Sequence, residues 1–344
     1  MSAIESFRVG ITRDILNSRG EPAFGKAALS ILDGESQIEW EYLPEVVAEI
    51  TADHAARYDA LYVNLPRVPA AAVEREDRRL RIVARHGVGY DSVDVAAMTR
   101  AGVIVTNTPT SMPRPVATSA STNVNAVAGR LFLKDRLTRA GRWHQRMDNM
   151  GSGLTGRTLG VIGAGRIGME LLRMARVFDM KLVAADPYAN AIQLGYLGAR
   201  KVDLDTAMRE SDYVVVCCLL NDETRHLIGA EQFAQMKPAA YFINVARGPI
   251  VDEQALIQAL RAGRIAGAAV DVFEEEPVAP DNPLLTMDNV IVTPHSLCWT
   301  DECFHNMAST GLASIVDALG GRVPEFVVNR QALDHPRVRA MMSA

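Results

Sequence analysis

The run Thr158-Leu159-Gly160-Val161-Ile162, followed by Gly163-Ala164-Gly165-Arg166-Ile167-Gly168, reads as an apolar strand that enters a glycine turn and leaves as a helix continuing to Asp179. Lys181–Ala185 is a second strand, and it ends in an acid, Asp186, 23 residues beyond Gly163. Strand, turn, helix, strand and acid in this order specify a dinucleotide site. Gly163 permits the tight turn, Gly165 lets a pyrophosphate approach the backbone, and Gly168 lets helix and strand pack closely. Arg166 and Ile167 open the helix whose unpaired N–H groups face the anion. Asp186 accepts from the ribose hydroxyls and repels a 2′-phosphate, so NAD(H) is expected rather than NADP(H).

Before this motif, strand and helix signals alternate: strands at 7–12, 38–42, 60–64, 81–85 and 103–106, with a helix near 22–32. A single helical run at 115–139 follows, with Val116, Ala120, Val124, Val127 and Leu131 at helical spacing, and then a glycine-rich segment at 151–156. After the motif, strands at 212–217, 240–244, 266–270 and 290–292 complete a six-stranded doubly wound sheet, and the helix Asp301–Leu319 returns to the first unit. The expected fold class is α/β with two doubly wound parallel-sheet domains, a Rossmann NAD-binding domain inserted into a flavodoxin-like substrate domain. The expected boundaries are 1–108 for the first part of the substrate domain, 109–298 for the NAD-binding domain and 299–344 for the return. Ligands in such sheets bind at the carboxyl ends of the strands, which predicts a cleft between the domains. The tail 331–344 reads only as a mobile extension.

At 344 residues the chain is long enough for two ordinary cores. With 48% hydrophobic and 22% charged residues and a formal charge of −5, nothing favours nucleic acid or an anionic membrane as a partner. Residues 1–9 carry Glu5 and Arg8 and lack the apolar core of a signal peptide, and no window approaches the length of a spanning helix, so a cytoplasmic location is expected. Cys217, Cys218, Cys298 and Cys303 have no zinc-site spacing; they read as reduced thiols, and no metal is expected.

Three segments past apolar strands carry the polar groups that chemistry needs. Residues 243–249 place Arg247 on a turn, where a guanidinium fork suits a carboxylate. Residues 271–277 hold Asp271, Glu274, Glu275 and Glu276, and residues 292–295 end in His295. A histidine with a carboxylate partner and an arginine anchor is what hydride transfer between an alcohol and a ketone requires beside a nicotinamide. Glu274 and Glu275 read as a solvated loop face. His86, His226 and His305 read as structural or surface groups, Asp91 and Asp94 as caps of a helix starting near Val93, and Trp40 and Trp143 as packing residues.

Taken together, residues 163–168 with Asp186, 244–252, 271–277 and 293–295 resemble the D-isomer-specific 2-hydroxyacid dehydrogenase family, which also has a glycine turn like that of residues 84–94. The resemblance implies that Arg247 holds the substrate carboxylate and polarises its carbonyl. It implies that His295 is the acid/base, that Glu276 hydrogen-bonds His295 and favours its charged form, and that Asp271 holds the nicotinamide amide. The N–H groups of Val88 and Gly89 would bind the substrate carboxylate. The helix 115–139 with the arm 141–156 resembles the family's dimerisation element, so a homodimer is expected.

Departures from the family pattern bear on the substrate. Ser296-Leu297-Cys298-Trp299 follows His295 where small residues are usual, Arg114 and Thr118 stand where many members have no arginine and an acid, and Leu219 replaces a proline beside the adenine. The loop at 64–67 also lacks the usual polar pattern. Trp299 reads either as a wall of the substrate pocket or as hinge packing, and Arg114 either as positive charge near the nicotinamide or as a surface ion pair. The pocket-lining reading shifts preference from glyoxylate toward a larger or more acidic 2-oxo acid. Two other functions fit the pattern: an NADH-sensing corepressor-like protein, and a phosphite-type anion dehydrogenase. Glu276 argues against a formate dehydrogenase, which places glutamine there.

Overall fold

The computed structural model describes residues 6–343; residues 1–5 of the segment read above for a signal peptide lie outside them, as does Ala344. The chain divides into two compact units, one formed by the residues up to Met112 together with those from Trp299 onward, the other by Pro113–Cys298.

The first unit holds five strands, β1 (Phe7–Ile11), β2 (Ile38–Tyr42), β3 (Ala60–Val63), β4 (Ile82–Arg85) and β5 (Ile104–Thr106), all parallel in the order β2-β1-β3-β4-β5. This is the flavodoxin-type order. β3 is buried along its whole length, as a parallel strand covered on both faces must be. The helix Asp301–Leu319 lays Phe304, Met307, Leu312 and Ile315 on one face of this sheet. Its Gly311 lies against the Tyr62 ring, where a Cβ would press on the ring edge. The helix expected near 22–32 is only a 3-10 turn at Ala27–Leu29 and one α turn at Ser30–Asp33, because Gly25 takes a positive φ and breaks the run. Nor is the tail an extension: Pro336–Met342 is a helix that buries Val338 and Met341 in the same core. Their spacing of three puts both on one helical face.

The second unit holds β6 (Thr158–Ile162), β7 (Lys181–Ala185), β8 (Ala199–Val202), β9 (Tyr213–Val216), β10 (Tyr241–Asn244), β11 (Gly267–Val270) and β12 (Val290–Val292). All pair in parallel in the order β12-β11-β10-β9-β6-β7-β8, a Rossmann sheet with its reversal between β6 and β9. The expected six strands are seven. β8 is an edge strand with Arg200 and Lys201 exposed, so it lacks the apolar run that marks its neighbours. The run 115–139 is two helices, Pro113–Gly129 and Leu131–Arg139, broken where Arg130 takes φ 52°. Similarly, the helix after the glycine turn ends at Ala175, and a 3-10 turn at Arg176–Phe178 leads to Asp179 at φ 54°.

Candidate active site

The C-terminal ends of the second sheet's strands gather the residues expected to hold the cofactor. Gly163 follows β6 with φ 92°, and a Cβ there would run into the backbone of Cys218. Gly168 faces the carbonyl of Gly163 so closely that a side chain could not fit, whereas the space beside Gly165, at the N-cap of the helix Arg166–Ala175, is open. The first N–H groups of that helix, Arg166 and Ile167 among them, have no acceptor within it. Asp186, past β7, accepts from the N–H of Ala164 at 2.8 Å and from that of Tyr188 at 2.8 Å, which fixes its carboxylate against the glycine turn. A cavity of about 760 Å³ opens beside Asp186, Pro187 and Val202. Cradle, acid and cavity fit NAD(H). Cys218 behind the turn is protonated, since burial pushes its thiol up to about 11.

Arg247, Glu276 and His295 stand at the ends of β10, β11 and β12. Asn244 shapes the first turn, its amide donating to the Arg247 carbonyl at 3.0 Å and its side-chain oxygen accepting from Ala246. Gly248 then lets this turn lie directly on the backbone of Phe273 and Glu274, where any side chain would collide. Glu276 is tied back by the N–H of Phe273 at 3.0 Å, and its other oxygen meets His295 Nδ1 at 2.8 Å. Burial works against its charge, but the bond and charge of His295, the Phe273 N–H and the Arg247 charge prevail and hold the carboxyl below the usual range. His295 has φ 53°, a left-handed conformation that costs a non-glycine residue of the order of 1–3 kcal/mol and points to a functional constraint.

Sequence reasoning missed what holds the His295 loop. Asp271, only 4% exposed, takes Thr293 Oγ1 at 2.6 Å and the N–H groups of Ser296 and Leu297 at 3.1 and 3.2 Å on one oxygen. Asp271 therefore anchors the histidine loop. A buried acid followed 22 residues later by Thr-x-x-Ser gave no signal without the fold. Glu274 is not simply solvated, since it pairs with His226 at 2.5 Å and accepts from the Glu253 N–H. Arg114 pairs with Glu170 at 2.7 Å, matching the ion-pair reading.

In the first unit, residues 86–89 form the turn after β4. The carbonyls of His86, Gly87 and Val88 accept from Arg85, Thr108 and Asn107, while the N–H groups of Val88 and Gly89 have no acceptor among the described residues. Such a turn suits an anion. His86, which precedes it, is 3% exposed, bonded through Nδ1 to the Tyr62 hydroxyl and wedged against Phe24 and Phe304. Trp299 stacks edge-on against Phe304 and stays 42% exposed. Asp94, not Asp91, is the N-cap of the helix Val95–Arg100. Trp40 packs on Tyr42 as expected, but Trp143 is exposed.

The family model described as D-isomer specific 2-hydroxyacid dehydrogenase, NAD binding domain, matches residues 122–296. The chain is 40% identical over 291 residues to the glyoxylate/hydroxypyruvate reductase B of Klebsiella pneumoniae (strain 342), covering 84% of this chain and 90% of the relative. It is 37% identical over 301 residues to a glyoxylate reductase of Thermococcus onnurineus (strain NA1), covering 86% and 90%. The crystal structure of a glyoxylate reductase from Paecilomyes thermophila is similar with a TM-score of 0.79 at 28% identity, covering 95% of this chain and 99% of that one.

Proposed function

The chain belongs to the D-isomer-specific 2-hydroxyacid dehydrogenases, NAD-dependent enzymes that interconvert 2-oxo and 2-hydroxy acids, and from this we propose that it reduces a short 2-oxo acid of the glyoxylate and hydroxypyruvate class. The observation that carries the reading is the Glu276–His295 pair at 2.8 Å, with Arg247 on the adjoining turn. The glycine turn and Asp186 would hold NADH, which would supply the hydride when bound. Arg247 anchors the substrate carboxylate and draws electron density from the carbonyl. With Nδ1 committed to Glu276, His295 uses Nε2 to give its proton to the carbonyl oxygen as that oxygen becomes an alcohol. Asp271 keeps the histidine loop in register and is the proposed partner of the nicotinamide amide. The Val88 and Gly89 N–H groups are the proposed donors to the substrate carboxylate, and Trp299 is proposed to limit substrate size.

The same reading includes a cytoplasmic homodimer. No helix among the described residues is long and apolar enough to cross a membrane. The helices Pro113–Gly129 and Leu131–Arg139 border an open groove of about 840 Å³ containing Leu131, Phe132 and Val177, all exposed apolar side chains of the kind a second copy would cover.

The test is oxidation of NADH and of NADPH by the purified protein against glyoxylate, hydroxypyruvate, pyruvate, phenylpyruvate and 2-oxoglutarate, with NADH formation from phosphite as a separate arm. Turnover of glyoxylate or hydroxypyruvate with NADH is expected. NADH binding without turnover in any arm would instead favour a nucleotide sensor, and turnover of phosphite alone an anion dehydrogenase.

A further inference from the structure

At the end of the first sheet opposite the 86–89 turn, four arginines crowd around one carboxylate. Arg78, Arg79 and Arg81 immediately precede β4, Asp59 precedes β3, and Arg337 comes from the helix Pro336–Met342; together they line a cavity of about 440 Å³. Asp59 is 1% exposed and already fully engaged. One of its oxygens accepts from the Arg8 N–H at 2.9 Å and from Arg79 Nη2 at 2.8 Å, and the other faces Arg81 Nε at 3.4 Å. Among the described residues, Asp59 is the one carboxylate lining this cavity with four arginines, in a chain whose formal charge is −5.

The guanidinium groups of Arg78 and Arg337 are held in place by backbone carbonyls. Arg337 Nη2 donates to the carbonyls of Arg78 and Arg79, and Arg78 donates to those of Arg75 and Ala101. Arg337 Nη1 and Arg78 Nε are buried with no acceptor among the described residues. Leaving buried charged donors unmatched and packing like charges together is unfavourable. Burial, followed by the charges of Arg78 and Arg81, lowers the proton affinity of Arg337. A fold that needed only to neutralise Asp59 would require one of these arginines. Guanidinium forks converging from two elements are suited to a compact oxyanion with several charges.

We propose that this cavity, formed by Arg78, Arg79, Arg81 and Arg337 around Asp59, is a binding site for a small phosphate-bearing anion, separate from the residues assigned to the reaction. Pyrophosphate is the probe, titrated calorimetrically at constant ionic strength into protein saturated with NADH so that the nucleotide site is filled. Saturable binding of one pyrophosphate per chain is expected, weakened at least tenfold in both Arg81→Gln and Arg337→Gln while NADH affinity is unchanged. Arg81→Gln leaves the backbone bonds of Arg337 intact and serves if Arg337→Gln does not fold. Absence of saturable binding, or equal affinity in wild type and variants, overturns the site. Citrate binding as tightly as pyrophosphate overturns its assignment to phosphate.

Discussion

His86 shows how burial can set a charge state. Its ring lies among Tyr62, Phe24 and Phe304, and removal from water, followed by the charge of Arg85, lowers its pKa from 6.5 to about 3. Because the folded pKa is depressed, the unfolded chain takes up a proton below pH 6.5 that the folded chain refuses until about pH 3. Stability should therefore fall with acidification across that window, by about 1.4 kcal/mol per pH unit from this residue, and be flat with respect to it above. Urea unfolding of wild type and His86→Phe at pH 7.5, 6 and 5 checks this. The variant should be less stable at pH 7.5, having lost the Tyr62 bond, yet lose less on acidification; parallel slopes would contradict the burial argument. At the proposed reaction centre, His295→Asn should lower kcat by roughly 10²- to 10⁴-fold, the usual contribution of a positioned acid. NADH affinity, read by fluorescence, should change little, and a variant with near-normal kcat would remove His295 from the mechanism.

At the scale of elements, the glycine turn and the strand ends were readable because each needs a residue type that little else can supply. Gly163 and Gly168 occupy places where a Cβ collides with backbone, so sequence and geometry state the same constraint. Elements whose identity depends on neighbours were not readable. β8 is a strand because it pairs with β7, despite exposing Arg200 and Lys201. Pro336–Met342 is a helix because Val338 and Met341 find the first unit's core. The break at Arg130 also escaped the periodicity, since apolar spacing continues across it. That break stores strain: a side chain in the left-handed region costs roughly 1 kcal/mol, which glycine avoids. Arg130→Gly should raise the free energy of unfolding by about 0.5–1 kcal/mol while Arg130→Ala should not, as measured by urea titration. Equal effects of the two would mean that backbone strain at residue 130 is not the cause.

For the whole molecule, the exposed apolar residues of the second unit predict its state of association. Leu131, Phe132, Trp143, Met147 and Met150 are all more than half exposed, and all belong to the helix Leu131–Arg139 and the arm that follows it. Light scattering should give twice the chain mass, and Phe132→Glu should give a monomer by placing a charge in the proposed interface. A monomeric wild type would refute the dimer. The sequence alone determined two parallel α/β sheets, the nucleotide turn with its acid, and the position of Arg247, Glu276 and His295 beyond strand ends, because backbone sterics and strand-end chemistry act over a few residues. Only the tertiary structure decided that Asp271 clamps the histidine loop, that His226 has Glu274 as its partner, that the tail is core, and that Arg337 joins Arg78, Arg79 and Arg81 around Asp59. Those outcomes depend on contacts between residues tens to hundreds of positions apart, whose burial and hydrogen bonding exist only once the sheets have formed.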